Sequence, residues 1–339
     1  MIKQKYIFLG LTLLLIFSVA AYAGSEARIG TAGAQELLIP VGARGIALQG
    51  ANIADITGVE AIYWNPAGLA SSQKSEAMFS YMSWIADINM SYLAVGARVG
   101  TAGSFGVTFR TLDVGEIPVT TIDSPDGTGE MYTPNFLIIG GTYSRMMTDR
   151  IYFGFTANFL SESVRQMKAT GMAFDFGVQY RNLVPGFHFG VALKNLGPDM
   201  RFDGNDIEYF ATTSTEPGAA ARPARLTLAK FDLPVTFELG VGYSYNFNED
   251  HHTSLYGNFR NFNLGSDQYM GGLEYGFREL FFLRAGYLGT QQNEDNIFGP
   301  TFGAGLQTVL GATTLSFDYT FRSVDYFDAN QFFALRLGF

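Results

Sequence analysis

The sequence predicts an all-β protein: a transmembrane antiparallel β-barrel of about fourteen strands, with an N-terminal plug, or hatch, segment inside it. Three observations carry that expectation. Apolar and polar residues alternate with period two through most of the chain after residue 74, which is the strand signature. Charged residues are only 16%, aromatics reach 15% and glycines number 40 in 339 residues. Mean hydropathy is nevertheless only +0.10, well short of a helical membrane protein. Abundant Phe, Tyr and Gly at modest hydropathy is what results when every second residue meets lipid. Finally, short connections alternate with longer polar ones along much of the chain.

The first element, residues 1–23, reads as an export signal. Lys3 and Lys5 supply its positive region and Ile7 to Ala20 its apolar core. Ala21-Tyr22-Ala23 is a small-x-small cleavage pattern, which places the mature start at Gly24. Residues 24–74 form the expected plug. Within them, Gly42 to Ala70 is rich in Gly and Ala, carries little charge and ends in a compact Trp64-Asn65-Pro66-Ala67-Gly68 turn. Pro66 fixes φ and removes a donor, Gly68 permits a tight turn, and Asn65 can bond nearby backbone. Trp64 is large enough to fill space against a barrel wall. A structural tether and a gate fit these residues equally well.

Residues 75–339 form the expected barrel. Strands are predicted at 75–85, 89–99, 102–113, 134–146, 150–163, 170–182, 186–196, 235–246, 252–263, 267–277, 280–289, 300–309, 312–322 and 331–339. The first two and the one near 302–309 alternate poorly. Connections after strands two, four, six, ten and twelve are very short, whereas those after three, five, seven, eleven and thirteen are longer and polar. Short periplasmic turns and long external loops fit an outer-membrane barrel. The long 197–234 connection is the candidate partner-binding lid, and Ser124 to Gly129 reads as a turn at an external loop tip.

Cost decides which face meets lipid. Asp175, Glu238, Glu274, Asp318, Arg110, Arg181, Lys194, Arg284, Arg322 and Arg336 all fall on the polar face of their strands. One Arg or Lys facing lipid at mid-membrane costs about 2–4 kcal/mol. That face is therefore the lumen, and its mixed signs predict a paired lining. Alternation runs through the last strand to Phe339, which is read as a barrel-assembly signal.

Catalytic chemistry is poorly represented. His188 is expected on the lumen face, and His251 and His252 in a periplasmic turn, where neighbours on extended backbone point apart and are poor joint ligands. Hydrolase, zinc and phosphate-loop motifs are absent. The chain has no cysteine, hence no thiolate site. No enzyme activity, cofactor or metal is expected, and a net charge of −9 without a basic patch argues against nucleic acid.

Gly42-Ala43-Arg44, Ala47-Leu48-x-Gly50-Ala51 and Tyr63-Trp64-Asn65-Pro66-Ala67-Gly68-Leu69-Ala70 resemble the start of the PorV/PorQ proteins, within the FadL-like outer-membrane barrels. The resemblance extends over essentially the mature chain. It implies a fourteen-stranded barrel with an N-terminal segment folded inside. In FadL that segment is a hatch on the path of long-chain fatty acids. PorV acts in type IX secretion, receiving cargo proteins by their C-terminal domains, and PorQ belongs to the same route. Two functions are thus expected. The leading one is a type IX component that binds secreted cargo and export partners at the cell surface. The alternative is passive uptake of a hydrophobic small molecule. Transport predicts an apolar pocket beside the plug, and shuttling predicts a large apolar patch on exposed loops. Either way the expected surroundings are outer-membrane lipid of the Gram-negative type.

Overall fold

A computed structural model describes residues 31–211, 220–263, 265–290 and 296–339. The export signal expected at 1–23 lies outside these residues. Fourteen long strands make one closed antiparallel sheet. They are β1 (Glu76–Ser83), β2 (Asn89–Val99), β3 (Gly103–Asp113), β4 (Asn135–Met146), β5 (Ile151–Val164), β6 (Met167–Tyr180) and β7 (Phe187–Leu196). The second half is β8 (Thr236–Asn246), β9 (His251–Phe262), β10 (Gln268–Phe277), β11 (Phe281–Thr290), β12 (Phe298–Leu310), β13 (Thr313–Val324) and β14 (Asn330–Gly338). Each pairs with its neighbours in sequence, and β14 closes on β1 from Glu76↔Gly338 to Ser83↔Gln331. Closure leaves no open edge, the condition for strands to cross a membrane.

The alternation sorts the two faces as expected. Outward residues such as Leu93, Val107, Phe159, Tyr287, Phe302 and Phe317 are exposed, which in a membrane means lipid. Asp175, Glu238, Glu274, Asp318, Arg110, Lys194, Arg284 and Arg322 are buried on the lumen side. β1 alternates cleanly, which its sequence did not promise.

Long connections gather at one rim, the external one by the usual order of such barrels. The 114–134 loop carries a short hairpin of Ile117–Pro118 against Met131–Tyr132, with a turn closed by Gly127 N–H donating to Ser124 O. The connection after β7 carries a second hairpin, Glu208–Ala211 against Arg222–Arg225. One expected long connection is corrected. β5 and β6 are each 14 residues long and meet through Arg165 and Gln166 alone. Arg165 takes the left-handed φ of 51°, so this turn lacks the Gly or Asn that would have announced it. A second correction concerns His251 and His252, which open β9 instead of sitting in the turn.

Two β-bulges interrupt the wall. On β7, one extra residue is accommodated between Leu193 and Leu196, opposite Phe174 to Phe176 of β6. On β12, the extra residue falls between Phe298 and Thr301.

Candidate functional site

The segment before β1 folds into the lumen as short helices and turns. Helix α1 spans Ala43–Ala47 and helix α2 Ala61–Trp64; a 3-10 stretch, Pro66–Ser71, leads towards β1. Helices this short are unstable alone, so their contacts hold them. Val41, Ile46, Leu48, Ile53, Ile56, Val59, Ile62 and Leu69 are all buried, each worth about 1.5–3 kcal/mol if fully removed from water.

The motif residues have defined tasks. Gly42, with φ 79°, lets the chain turn into α1; a Cβ there would lie 2.3 Å from Glu60 Oε1. That same oxygen accepts from the Gly45 N–H at 2.8 Å, filling one of the free donors of the first helical turn. Burial pushes the Glu60 carboxyl above its ordinary pKa, against the pull of Arg336. Ala43 offers its carbonyl to Thr320 Oγ1 at 2.6 Å. Arg44 makes a bidentate pair with Glu274 of β10, both bonds at 2.8 Å. Burial alone would depress the Arg44 pKa, but Glu274 holds it above the usual value.

Trp64 donates its indole N–H to Val41 O at 3.0 Å and lies against Gly45 and Gly50, where a Cβ would meet the ring at 2.2 and 2.4 Å. Asn65 is fully buried. Its amide Nδ2 donates to Ile53 O at 3.0 Å, to Val178 O at 3.1 Å and to Val191 O at 3.3 Å, joining the luminal segment to β6 and β7. Its Oδ1 accepts from Ala67 N at 3.2 Å, so Asn65 also caps the turn that Pro66 begins. The Ala67 carbonyl accepts from Ser144 Oγ at 3.0 Å, and Gly68 fits under Ile56 O, 2.1 Å from where its Cβ would be. Phe339 is placed elsewhere, on the opposite rim from the long loops. Its backbone exchanges bonds with Ser75 and its ring is exposed.

Sequence reasoning missed the wall's half of this fit. Eight inward glycines, Gly96, Gly106, Gly154, Gly177, Gly190, Gly240, Gly286 and Gly303, lie against atoms of this luminal segment so closely that a Cβ would overlap them, and at Gly272 a Cβ would sit 3.1 Å from Leu48 O. At Gly154 the obstacle is Pro66 backbone, 2.1 Å away. Wall side chains also answer the segment's carbonyls: Thr301 Oγ1 donates to Ala47 O at 2.8 Å, Asn258 Nδ2 to Gly50 O at 3.1 Å and Gln179 Nε2 to Ile53 O at 2.9 Å. Irregular backbone at membrane depth is tolerated where protein satisfies it in this way. The available signal was glycine recurring on the polar face of successive strands.

α1 and the turn after it divide the lumen. On the inner side is a polar cavity of ≈ 270 Å³ that includes Arg44, Asp55, Glu274, Arg284 and Asp318. Arg284 Nε reaches Glu274 at 2.5 Å and its Nη1 reaches Asp318 at 2.5 Å, extending the Arg44 pair into a charge chain. On the outer side is a largely apolar cavity of ≈ 500 Å³. Its floor is Leu38, Ile39, Pro40, Ile46, Tyr63 and Trp64, and its walls include Trp84, Ile88, Leu112, Phe136, Phe262, Leu288 and Phe298. Burial pushes the Tyr63 hydroxyl pKa to about 12.

Two cations reach the outer cavity. Arg260 pairs with Glu238 at 3.0 Å. Arg322 has no carboxylate among the described residues: it donates to Asn330 Oδ1 and stacks on Phe298 at 4.1 Å and Trp84 at 4.6 Å. Among the described residues, no group of three or more His, Asp or Glu is placed to hold a metal ion.

No family model matches the chain, and no curated protein matches it in sequence. Among solved structures, it is similar to the CymD monoaromatic hydrocarbon channel, with TM-score 0.52 at 13% identity over 89% of this chain and 97% of that one. A Pseudomonas aeruginosa FadL homologue gives TM-score 0.52 at 12% identity, covering 89% of this chain and 98% of that one. The Ralstonia pickettii toluene transporter TbuX gives 0.50 at 12%, covering 83% and 94%. At such identities the likeness is one of fold. This chain has the closed fourteen-strand fold of FadL-type outer-membrane channels.

Proposed function

We propose that this barrel passively admits a hydrophobic small molecule through the outer membrane, with residues 24–74 as its plug. The observation that carries this reading is the apolar cavity of ≈ 500 Å³ on the outer side of α1, its floor built partly from the motif residue Trp64. Its volume lies within the range of small-molecule sites, and its few polar groups can orient a ligand. The channels and transporter of similar fold, named for aromatic hydrocarbons, support the same reading. Arg322, buried and without a carboxylate partner among the described residues, offers a place for a ligand's polar or anionic end. The work involved is binding and passage, without bond chemistry.

The chain's two tryptophans, Trp64 and Trp84, both line this cavity. Quenching of intrinsic fluorescence by brominated ligands therefore reports its occupancy. In detergent, bromobenzene and a dibrominated fatty acid are expected to quench saturably, and Leu112→Phe, which fills the cavity, to weaken both. Arg322→Met is expected to weaken the fatty acid about tenfold, the loss of one charge-assisted contact, and to spare bromobenzene. Non-saturable quenching that ignores Leu112→Phe overturns the reading.

A second reading, binding of secreted cargo as in the PorV/PorQ proteins, is favoured by exposed apolar residues at the external rim. Phe210 on the Glu208–Ala211 hairpin is 76% exposed and Leu226 just beyond it 56%. Recovery of secreted proteins and export partners with the barrel from native membranes tests it; recovery of neither removes it. Phe339 as the barrel-assembly signal is part of both readings.

A further inference from the structure

One part of the external rim differs from the rest in charge. The loops at 84–88, 114–134, 263–267, 291–297 and 325–329 carry Asp and Glu but no Lys or Arg. Among the described residues, the exposed cations on this side are Arg165, Lys168, Arg201, Arg222, Arg225 and Lys230. All of them fall on the β5–β6 hairpin or on the connection after β7. Backbone bonds join these two pieces into one lobe. Asp203 and Gly204 pair with Lys168 and Met167 of β6, and the Gln166 N–H donates to Asp206 Oδ2 at 3.2 Å. Arg225 is engaged within the lobe, with Asp203 at 3.0 Å and Glu208 at 3.9 Å. The other five form no ion pair among the described residues.

The hairpin of this lobe, Glu208–Ala211 against Arg222–Arg225, pairs with no third strand among the described residues, and none of its residues is buried. A two-stranded ribbon is marginal in water on its own. Its ladder extends by one bond, from the Leu226 N–H to Ile207 O. Alternation then puts Ile207, Tyr209, Ala211, Ala224 and Leu226 on one face, with Arg222 at its end. The Glu208–Arg225 pair lies on the other. Tyr209 and Leu226 are exposed, so the ribbon shows an uncovered apolar face edged by a free cation. Lys168 connects this lobe to the lipid face. It heads the outward column of β6 that runs through Thr170 and Met172 to Phe174 and Phe176, while its neighbour Ala169 is buried. A cation above an apolar band lays its stem along that band and its charge at headgroup level. Phosphate suits such groups, Arg through its forked N–H donors and Lys as a point charge. The acidic loops repel phosphate, so charge complementarity to an anionic lipid is confined to this lobe.

We propose that this lobe docks a phosphorylated glycolipid of the outer leaflet, the lipid A part of lipopolysaccharide. Lys168 and Arg222 meet its phosphates, and Tyr209 and Leu226 meet its acyl chains. The lipid covers the face that the ribbon leaves open and holds the long connection down at the membrane surface. The docking is independent of what passes through the lumen. It assigns Leu226 to lipid, where the cargo reading gives it to protein, and the test separates the two.

The full barrel is purified in detergent, and its binding of diphosphoryl lipid A is compared by native mass spectrometry with that of the same lipid stripped of phosphate. Wild type is expected to bind the diphosphoryl form saturably. Lys168→Gln and Arg222→Gln are each expected to weaken it about fivefold, the effect of one cation at an anionic surface, and removal of the phosphates to weaken it about 25-fold. Leu226→Ser is expected to weaken both lipids. Asp126→Asn, in the acidic 114–134 loop, is expected to change neither. These side chains are exposed, and heat-modifiable migration shows that the variants are folded. Binding that ignores both cation changes overturns the docking, and so does equal binding of the two lipids. Release of the lipid by inorganic phosphate alone reduces the lobe to an anion site and also overturns it. Retention of secreted protein through Leu226 with no lipid bound gives the surface to the cargo reading instead.

Discussion

Asn65→Asp is expected to unseat the plug while the barrel still forms. The change is isosteric, but it puts a carboxylate where Nδ2 now faces the carbonyls of Ile53, Val178 and Val191. Only the Ala67 N–H remains as a donor to that side chain. An uncompensated buried charge costs about 3–5 kcal/mol, enough to shift the plug out of its seat. Asn65→Ala removes the same bonds without the charge and is expected to cost about 1–3 kcal/mol. In planar bilayers the expected order of ion current is wild type, then Asn65→Ala, then Asn65→Asp. Equal currents from three folded barrels contradict a sealing role for this residue.

Glu274→Ala is expected to have an effect of similar size from the opposite side of the lumen. Arg284 keeps Asp318 after the change, but Arg44 loses both of its bonds to a carboxylate. Leaving one member of a buried pair without its partner costs about 3–5 kcal/mol. Arg44→Met is milder, because Glu274 then retains Arg284. Because α1 separates the two cavities, Glu274→Ala is expected to raise ion current and to expose the plug to protease. A variant as tight and as protease-resistant as wild type contradicts the view that this pair locks α1.

The fold was legible in the sequence because a membrane barrel writes itself in period two. A charge such as Asp318 or Arg284 cannot sit beside lipid, so each one marks the lumen face of its strand. The exceptions have local causes. Arg165-Gln166 turns in two residues without a glycine, so the β5–β6 hairpin looked like a loop. The bulge beside Pro300 looked like a late strand start, because a bulge is a relation between paired strands and leaves no periodicity of its own.

The site was legible on one side only. Trp64, Asn65 and Pro66 stand out in the sequence because they form a compact turn of unusual residues. Glu60 and Gln49 looked ordinary, although Glu60 completes α1 and Gln49 holds Gly299. In the sequence, Gly154 and Gly177 are two of 40 glycines with nothing to single them out. Their role depends on Pro66 and Asn65 lying against them, which only the fold reveals. Arg44 stands out only through the family resemblance, and its partner Glu274 lies 230 residues away.

Uptake through the outer cavity is tested most directly in cells whose outer leaflet is lipopolysaccharide. The measurement is the rate at which 1-N-phenylnaphthylamine brightens as it reaches the membrane, in cells bearing wild type, Leu112→Phe or no barrel. With equal barrel levels at the surface, wild-type cells are expected to brighten fastest. Filling the cavity with Leu112→Phe is expected to return the rate towards that of cells without the barrel. Equal rates in all three contradict uptake of a hydrophobic molecule through this cavity.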